Sequence, residues 1–142
     1  MNFSEFNEKF RINELKVMES KFWVASVRPV QATLGALVIS LKEPKTSFDQ
    51  LSNEEGGDFF ELVKRAQVLS HMSFAPEKVN LLGLMMVDPF VHFHFLPRYS
   101  EERVFKGAKF ADRGWPGPPD LAGEPSSDML LENIKAELRD LI

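Results

Sequence analysis

The sequence predicts an α+β domain: an antiparallel sheet of about five strands with a long helix packed on it, then an irregular C-terminal extension and a terminal helix. Three observations predict it. Hydrophobic periodicity alternates between strand-like and helix-like segments in the order β, β, β, α, β, β, extension, α. Ser52 and Glu55 form a capping-box pattern just ahead of the longest helical period. Residues 100–128 hold four of the nine prolines together with several glycines, which regular structure does not tolerate.

In chain order, residues 3–10 predict a short amphipathic helix, and LKVMES and FWVASVRP predict two short strands broken near Ser20 and Lys21. TLGALVISLKE follows as a stronger strand. Its apolar run from Leu34 to Leu41 has the character of a central strand, entered through Gly35 and ended by Lys42, Glu43 and Pro44. After Ser52, residues Phe59, Leu62, Val63, Ala66, Leu69 and Met72 recur at helical spacing; Gly56 and Gly57 weaken the first turn and Pro76 stops the helix. VNLLGLMMV then predicts a buried strand, with Met85 and Met86 in the core, turning at Asp88–Pro89 directly into FVHFHFL as a very tight antiparallel hairpin.

From Tyr99 onward the chain should be mostly irregular, held down by Val104, Phe105, Phe110 and Trp115. The stripe Leu130, Leu131, Ile134, Leu138, Leu141, opened by Ser127 and Asp128, predicts a closing amphipathic helix. Residues 1–105 thus form one domain, and residues 106–142 an extension and helix packed on it.

Composition narrows the functions. With 142 residues the chain can bury about two-thirds of its unfolded surface unaided. It has no cysteine, so disulfides, thiolate nucleophiles and Cys-ligated zinc are excluded. The first residues lack the apolar core of a signal peptide and no apolar run is long enough to span a bilayer, so the expectation is a cytoplasmic protein without membrane partners. A formal charge of −4 argues against an extended nucleic-acid surface, although a compact anion could still bind where Lys42, Arg98, Arg103 or Lys106 cluster.

The segment FVHFHFLPRY, residues 90–99, holds two of the three histidines of the chain. Strand alternation puts His92 and His94 on one face with Phe90 and Leu96, with the two histidines roughly 6.5 to 7 Å apart along the strand. They could be polar residues on a solvated face. Alternatively they form a site, and two chemistries suit them. In one, a neutral imidazole attacks phosphorus through one ring nitrogen while the other holds a proton against a backbone carbonyl, and the second imidazole donates to a phosphate oxygen or the leaving group. In the other, the pair ligates zinc or iron, with Asp88, Asp112 or His71 as the nearest third ligand; no carboxylate has convincing spacing, which ranks metal second.

VHFHFLPRY, preceded by a long helix and by GALVISLKE, resembles the histidine triad (HIT) superfamily of nucleotide hydrolases and transferases, over roughly residues 15–105. It is most similar to a bacterial branch like the diadenosine tetraphosphate hydrolases, in which a Trp-Pro segment such as RGWPGPP follows the motif. The resemblance implies an antiparallel sheet with packed helices, His92 as the nucleophile that forms a nucleotidyl intermediate, His94 as the phosphate contact, no cofactor, and pairing into a homodimer. Three positions depart from the pattern. Phe90 stands at the first triad position, Ala36 follows Gly35 where a histidine is usual, and MMVDP replaces a Gly-Gln element that contacts phosphates.

The expected substrate is a nucleoside phosphate or dinucleoside polyphosphate, with Arg98, Lys42, Phe90, Asn80 and Trp115 around it. Simpler roles stand beside these: a strand-end cation for Lys42 or Arg98, a turn for Asn80, a hairpin cap for Asp88, and a plug fastening the extension for Trp115. His71 should be exposed late in its helix. The competing functional expectation is a protein that kept the fold and binds nucleotides or a partner without cleaving, having lost the first histidine.

Overall fold

A computed structural model describes residues 1–142. Five strands, β1 (Lys16–Glu19), β2 (Trp23–Val27), β3 (Leu37–Leu41), β4 (Lys78–Leu82) and β5 (His92–Arg98), form one sheet in the order β1-β2-β3-β5-β4. Every neighbouring pair is antiparallel. The α+β class and the strand count therefore stand as expected. β2 and β3 are buried along their whole lengths because both faces of the sheet are covered, which is why LVISL reads as a nearly continuous apolar run.

Helix α1 (Phe3–Lys9) covers one face. The Asn2 side chain accepts from Glu5 N at 2.8 Å and the Glu5 carboxylate accepts from Asn2 N at 3.0 Å, so two otherwise orphaned amides are satisfied. Phe6, Phe10 and Ile12 then pack on Val24, Val38 and Phe90. Helix α2 (Asn53–Phe74) and helix α3 (Asp128–Arg139) share the larger core of the other face, where Leu62, Leu131 and Ile134 are wholly buried with Trp23 and Phe95. Truncating a side chain such as Leu62 to alanine there should cost about 2–5 kcal/mol. The Ser52 and Glu55 capping box forms as the sequence indicates, and Trp23 Nε1 donates to Glu55 O at 2.8 Å, tying the start of α2 to β2.

Three expectations are corrected. First, β4 is an edge strand with its residues exposed or half-buried, and nine residues of loop, 83–91, separate it from β5 in place of a tight hairpin. The chain leaves the ladder at Gly83, where a Cβ would come within 2.8 Å of the Phe93 ring, and Met85 is left-handed with φ 44°, which no strand accommodates. Second, Met86 and Val87 are therefore 80% and 82% exposed, and the pair Met85 and Met86 is not core. Third, the extension begins with a regular hairpin, β6 (Arg103–Phe105) and β7 (Ala108–Phe110), joined by Lys106 and Gly107 at φ 50° and 79°. Its alternation turns Phe105 and Phe110 onto the core and Val104 outward, so Val104 is no anchor. No helix is long and apolar enough to cross a membrane.

Candidate functional site

The period of β5 places His92 and His94 on the face covered by α1, 2% and 6% exposed, with ring centroids 5.1 Å apart and planes at 81°. Phe6 meets the His92 ring edge-on at 5.1 Å, and Phe10 lies 5.5 Å from His92 and 6.3 Å from His94. This apolar setting disfavours the charged forms. Burial holds His92 below the ordinary histidine value, and burial together with the Arg28 charge pushes His94 down to about 4. Both rings are neutral at pH 7.

Hydrogen bonding then assigns the proton on each ring. His92 Nδ1 lies 2.6 Å from Phe90 O, and a carbonyl only accepts, so Nδ1 carries the proton and Nε2 keeps its lone pair. On His94 the partner is Arg28 Nε at 3.2 Å; a guanidinium only donates, so His94 Nδ1 is the acceptor and Nε2 carries the proton. The two histidines therefore present complementary nitrogens: one nucleophilic, one donating.

Both rings line a cavity of about 420 Å³, within the range of small-ligand sites. Its other walls are Lys9 of α1 and the following Phe10, Arg28–Val30 after β2, Leu84–Asp88 of the loop before β5, and Leu121 and Pro125 of the extension. Lys9 and Asp88 are paired at 2.6 Å. The guanidinium of Arg28 instead reaches main-chain oxygens, Val30 O at 2.8 Å and Leu121 O at 3.3 and 3.4 Å. With the imidazoles neutral and Lys9 cancelling Asp88, the cavity carries one net positive charge, on Arg28.

The other residues singled out from sequence lie elsewhere. Arg98, Asn80 and Trp115 line a separate surface hollow at the far end of β5, where Arg98 binds Asp112 at 2.7 Å and Asn80 Oδ1 at 2.7 Å. Lys42 pairs with Glu19 at 2.8 Å and donates to Ser20 O, at the edge of α1 away from the cavity. Phe90 points into the aromatic cluster, 5.2 Å from Phe3 and 5.6 Å from Phe6, and contributes only its carbonyl. Of the suggested third metal ligands, Asp88 lines the cavity, whereas Asp112 is held by Arg98 and His71 is exposed on α2; no group of three such side chains is brought together to hold an ion.

Sequence reasoning missed Arg28, Lys9 and the Leu121–Pro125 wall. The one signal for Arg28 was a cation directly after the mostly apolar strand segment FWVASV, where a charge needs a reason to be tolerated.

No protein-family model and no curated protein matches the chain. Solved structures do. A histidine triad protein from Bradyrhizobium japonicum is similar at TM-score 0.69 and 16% identity, over 92% of this chain and 92% of that one. A Hit-like protein involved in cell-cycle regulation from Bartonella henselae is similar at TM-score 0.71 and 14% identity, over 97% and 95%. A hypothetical histidine triad nucleotide-binding protein from Sulfolobus tokodaii gives TM-score 0.67 at 14% identity, over 89% and 81%. At such identities the likeness speaks for architecture: the chain has the fold of the histidine triad proteins.

Proposed function

We propose that the protein is a histidine-triad-type nucleotidyl hydrolase or transferase in which His92 Nε2 attacks the phosphorus of a nucleoside monophosphate derivative. The observation that carries this is the 2.6 Å contact of His92 Nδ1 with Phe90 O, which fixes the nucleophilic tautomer in the wall of a ligand-sized cavity. As the N–P bond forms, His92 gains positive charge, and the Phe90 carbonyl stabilises it through the Nδ1 proton. The bond from phosphorus to the leaving group breaks, and water or an acceptor later displaces His92.

The site's charge narrows the substrate. His94 holds its Nε2 proton as a neutral imidazole, and giving it up would leave an imidazolide, so His94 offers a hydrogen bond and not a proton. The leaving group consequently departs as an anion, a phosphate or a carboxylate. One net positive charge suits a single phosphate, and the apolar loop Leu84–Val87 suits an apolar substituent, so a mixed anhydride between a nucleoside monophosphate and a carboxylic acid fits better than a dinucleoside polyphosphate.

Turnover of an acyl nucleotide, a nucleoside phosphoramidate and a diadenosine polyphosphate by wild type and His92→Ala tests the reading. Turnover lost in the variant supports it; equal rates in the two proteins remove His92 from the mechanism. A second reading, binding without cleavage, is favoured by one feature: Phe90 turns into the aromatic cluster, leaving leaving-group charge to His94 and Arg28 alone. Nucleoside monophosphate binding with no wild-type turnover on the whole panel would select that reading.

A further inference from the structure

Arg28 is 9% exposed, and none of its hydrogen bonds goes to a carboxylate. Buried cations are ordinarily paired, because desolvating a charge costs several kcal/mol unless an opposite charge or good hydrogen bonds compensate. Here burial works against the charge, and Asp88, already bound to Lys9, supports it only at a distance. One of the guanidinium nitrogens, Nε, is aimed at His94 Nδ1.

We propose that Arg28 is a positioning residue: its Nε–H locks the proton of His94 on Nε2, making His94 a permanent neutral donor toward the ligand, and its charge attracts the ligand's phosphate. The second half rests on the function proposed above; the first does not. A histidine left alone samples both tautomers and takes a second proton, and either change would remove the donor or alter the charge of the cavity. A fixed cation on Nδ1 prevents both, since a protonated Nδ1 would face an N–H that cannot accept. Lysine would not substitute, because its donor has no fixed direction. The groups facing His94 and able to modify this lock are His92 on the same strand, Asp88 in the preceding loop and Lys9 on α1.

Two replacements remove the charge and differ in what they leave against His94 Nδ1. In Arg28→Met a methyl carbon takes the place of Nε, so both donor and charge go. In Arg28→Gln an amide stands there that can donate through its N–H or accept through its carbonyl, so the charge goes and the donor is no longer obligatory. Long-range ¹⁵N–¹H NMR of the three histidines at pH 7 reads the tautomers directly, with no turnover needed. Expected is a pure Nε2–H form of His94 in wild type, and a tautomer mixture in Arg28→Met and in Arg28→Gln, whose carbonyl can accept from a protonated Nδ1. A wild-type His94 carrying its proton on Nδ1, or an Arg28→Met spectrum identical to wild type, overturns the lock; should Arg28→Met fail to fold, the wild-type and Arg28→Gln spectra decide it.

Calorimetric affinity for adenosine 5′-monophosphate reads the charge. It should fall about tenfold in both variants, and an affinity unchanged in both overturns that half. On any substrate that wild type cleaves, both variants should raise KM, and Arg28→Met, which leaves no donor at all, should lower kcat by about a further tenfold relative to Arg28→Gln. If wild type cleaves nothing, the function proposed above fails while the spectra still decide the lock.

Discussion

The two ends of β5 carry polar clusters on the same face of the same strand, and they are built to opposite rules. At the far end, Arg98 gives Nε and Nη2 to the Asp112 carboxylate at 2.7 and 3.0 Å, Nη1 to Asn80 Oδ1 at 2.7 Å and Nη2 again to Gly117 O at 2.9 Å. Asp112, 1% exposed at its side chain, also accepts from Tyr99 N at 3.1 Å. Burial alone would raise that carboxyl, but the Arg98 and Tyr99 hydrogen bonds more than offset it and hold Asp112 below the usual carboxylate range. At the near end, Arg28 has no carboxylate and His92 has a nitrogen without a partner. A closed ion pair fastens the extension to the sheet; an open one leaves chemistry for a ligand. Arg98, beside the histidine motif in sequence, is thus the paired cation, and Arg28, far from it, is the one left without a carboxylate.

The largest effect that could break this contrast is on His92. In His92→Ala, turnover of a cleaved substrate should fall about 10⁴-fold or more, as for loss of a covalent nucleophile. The urea midpoint should move far less than turnover. Arg98→Met comes next. It strands Asp112 as an unpaired buried charge and should cost about 3–5 kcal/mol of stability in urea titration, with kcat of the folded fraction within about threefold of wild type. If Arg98→Met instead kept full stability and lost ligand binding, the far end would be the site and the assignment of the two ends would reverse.

The legibility of these ends differed for physical reasons. The shared face of His92 and His94 was visible because strand alternation is a purely local rule, and the Ser52 and Glu55 capping box was visible because its partners are three residues apart. Arg28 was invisible as a site residue because the bond to His94 crosses 66 positions of sequence, and no spacing rule links them. Arg98 reads equally as a phosphate ligand or a strand-end cation from its place beside the motif, and its pairing with Asp112, fourteen residues on, follows from no spacing rule. The run LLGLMMV read as a buried strand because an apolar segment has the same periodicity whether it enters a core or overhangs a cavity; Gly83 and the left-handed Met85 decide the matter, and both depend on where the Phe93 ring sits.

Acid stability offers a smaller effect that sharpens the comparison. His94 has a folded value of about 4 against 6.5 in an unconstrained chain, so the unfolded state takes up the proton first as pH falls. The contribution of this group is complete above about pH 6.5, declines as pH falls toward 4, and is level below that; its size is on the order of 3 kcal/mol. Asp112 behaves otherwise. Its folded value is depressed below 3.8, so its contribution is present above that pH and is lost only as pH drops further. Chemical denaturation from pH 7 down to about pH 2 should show both windows in wild type. The upper one should shrink in His94→Gln and the lower one in Asp112→Asn; a single window shifted by both variants would mean the two ends are coupled.

The smallest expected effect concerns the lip of the cavity. Met86 and Val87 are four-fifths exposed yet line the site, a combination that core packing does not explain. Side chains so exposed contribute little to folding, so Met86→Ser and Val87→Ser should each change stability by less than about 0.5 kcal/mol. If they cover an apolar leaving group, KM for an acyl nucleotide should rise about three- to tenfold per substitution, in line with losing a few buried methylenes, while the affinity for the bare nucleoside monophosphate stays put. Equal losses on both ligands would place the apolar loop over the nucleoside instead, and the open end of β5 would then hold its substrate in the reverse direction, with the leaving group toward Leu121 and Pro125.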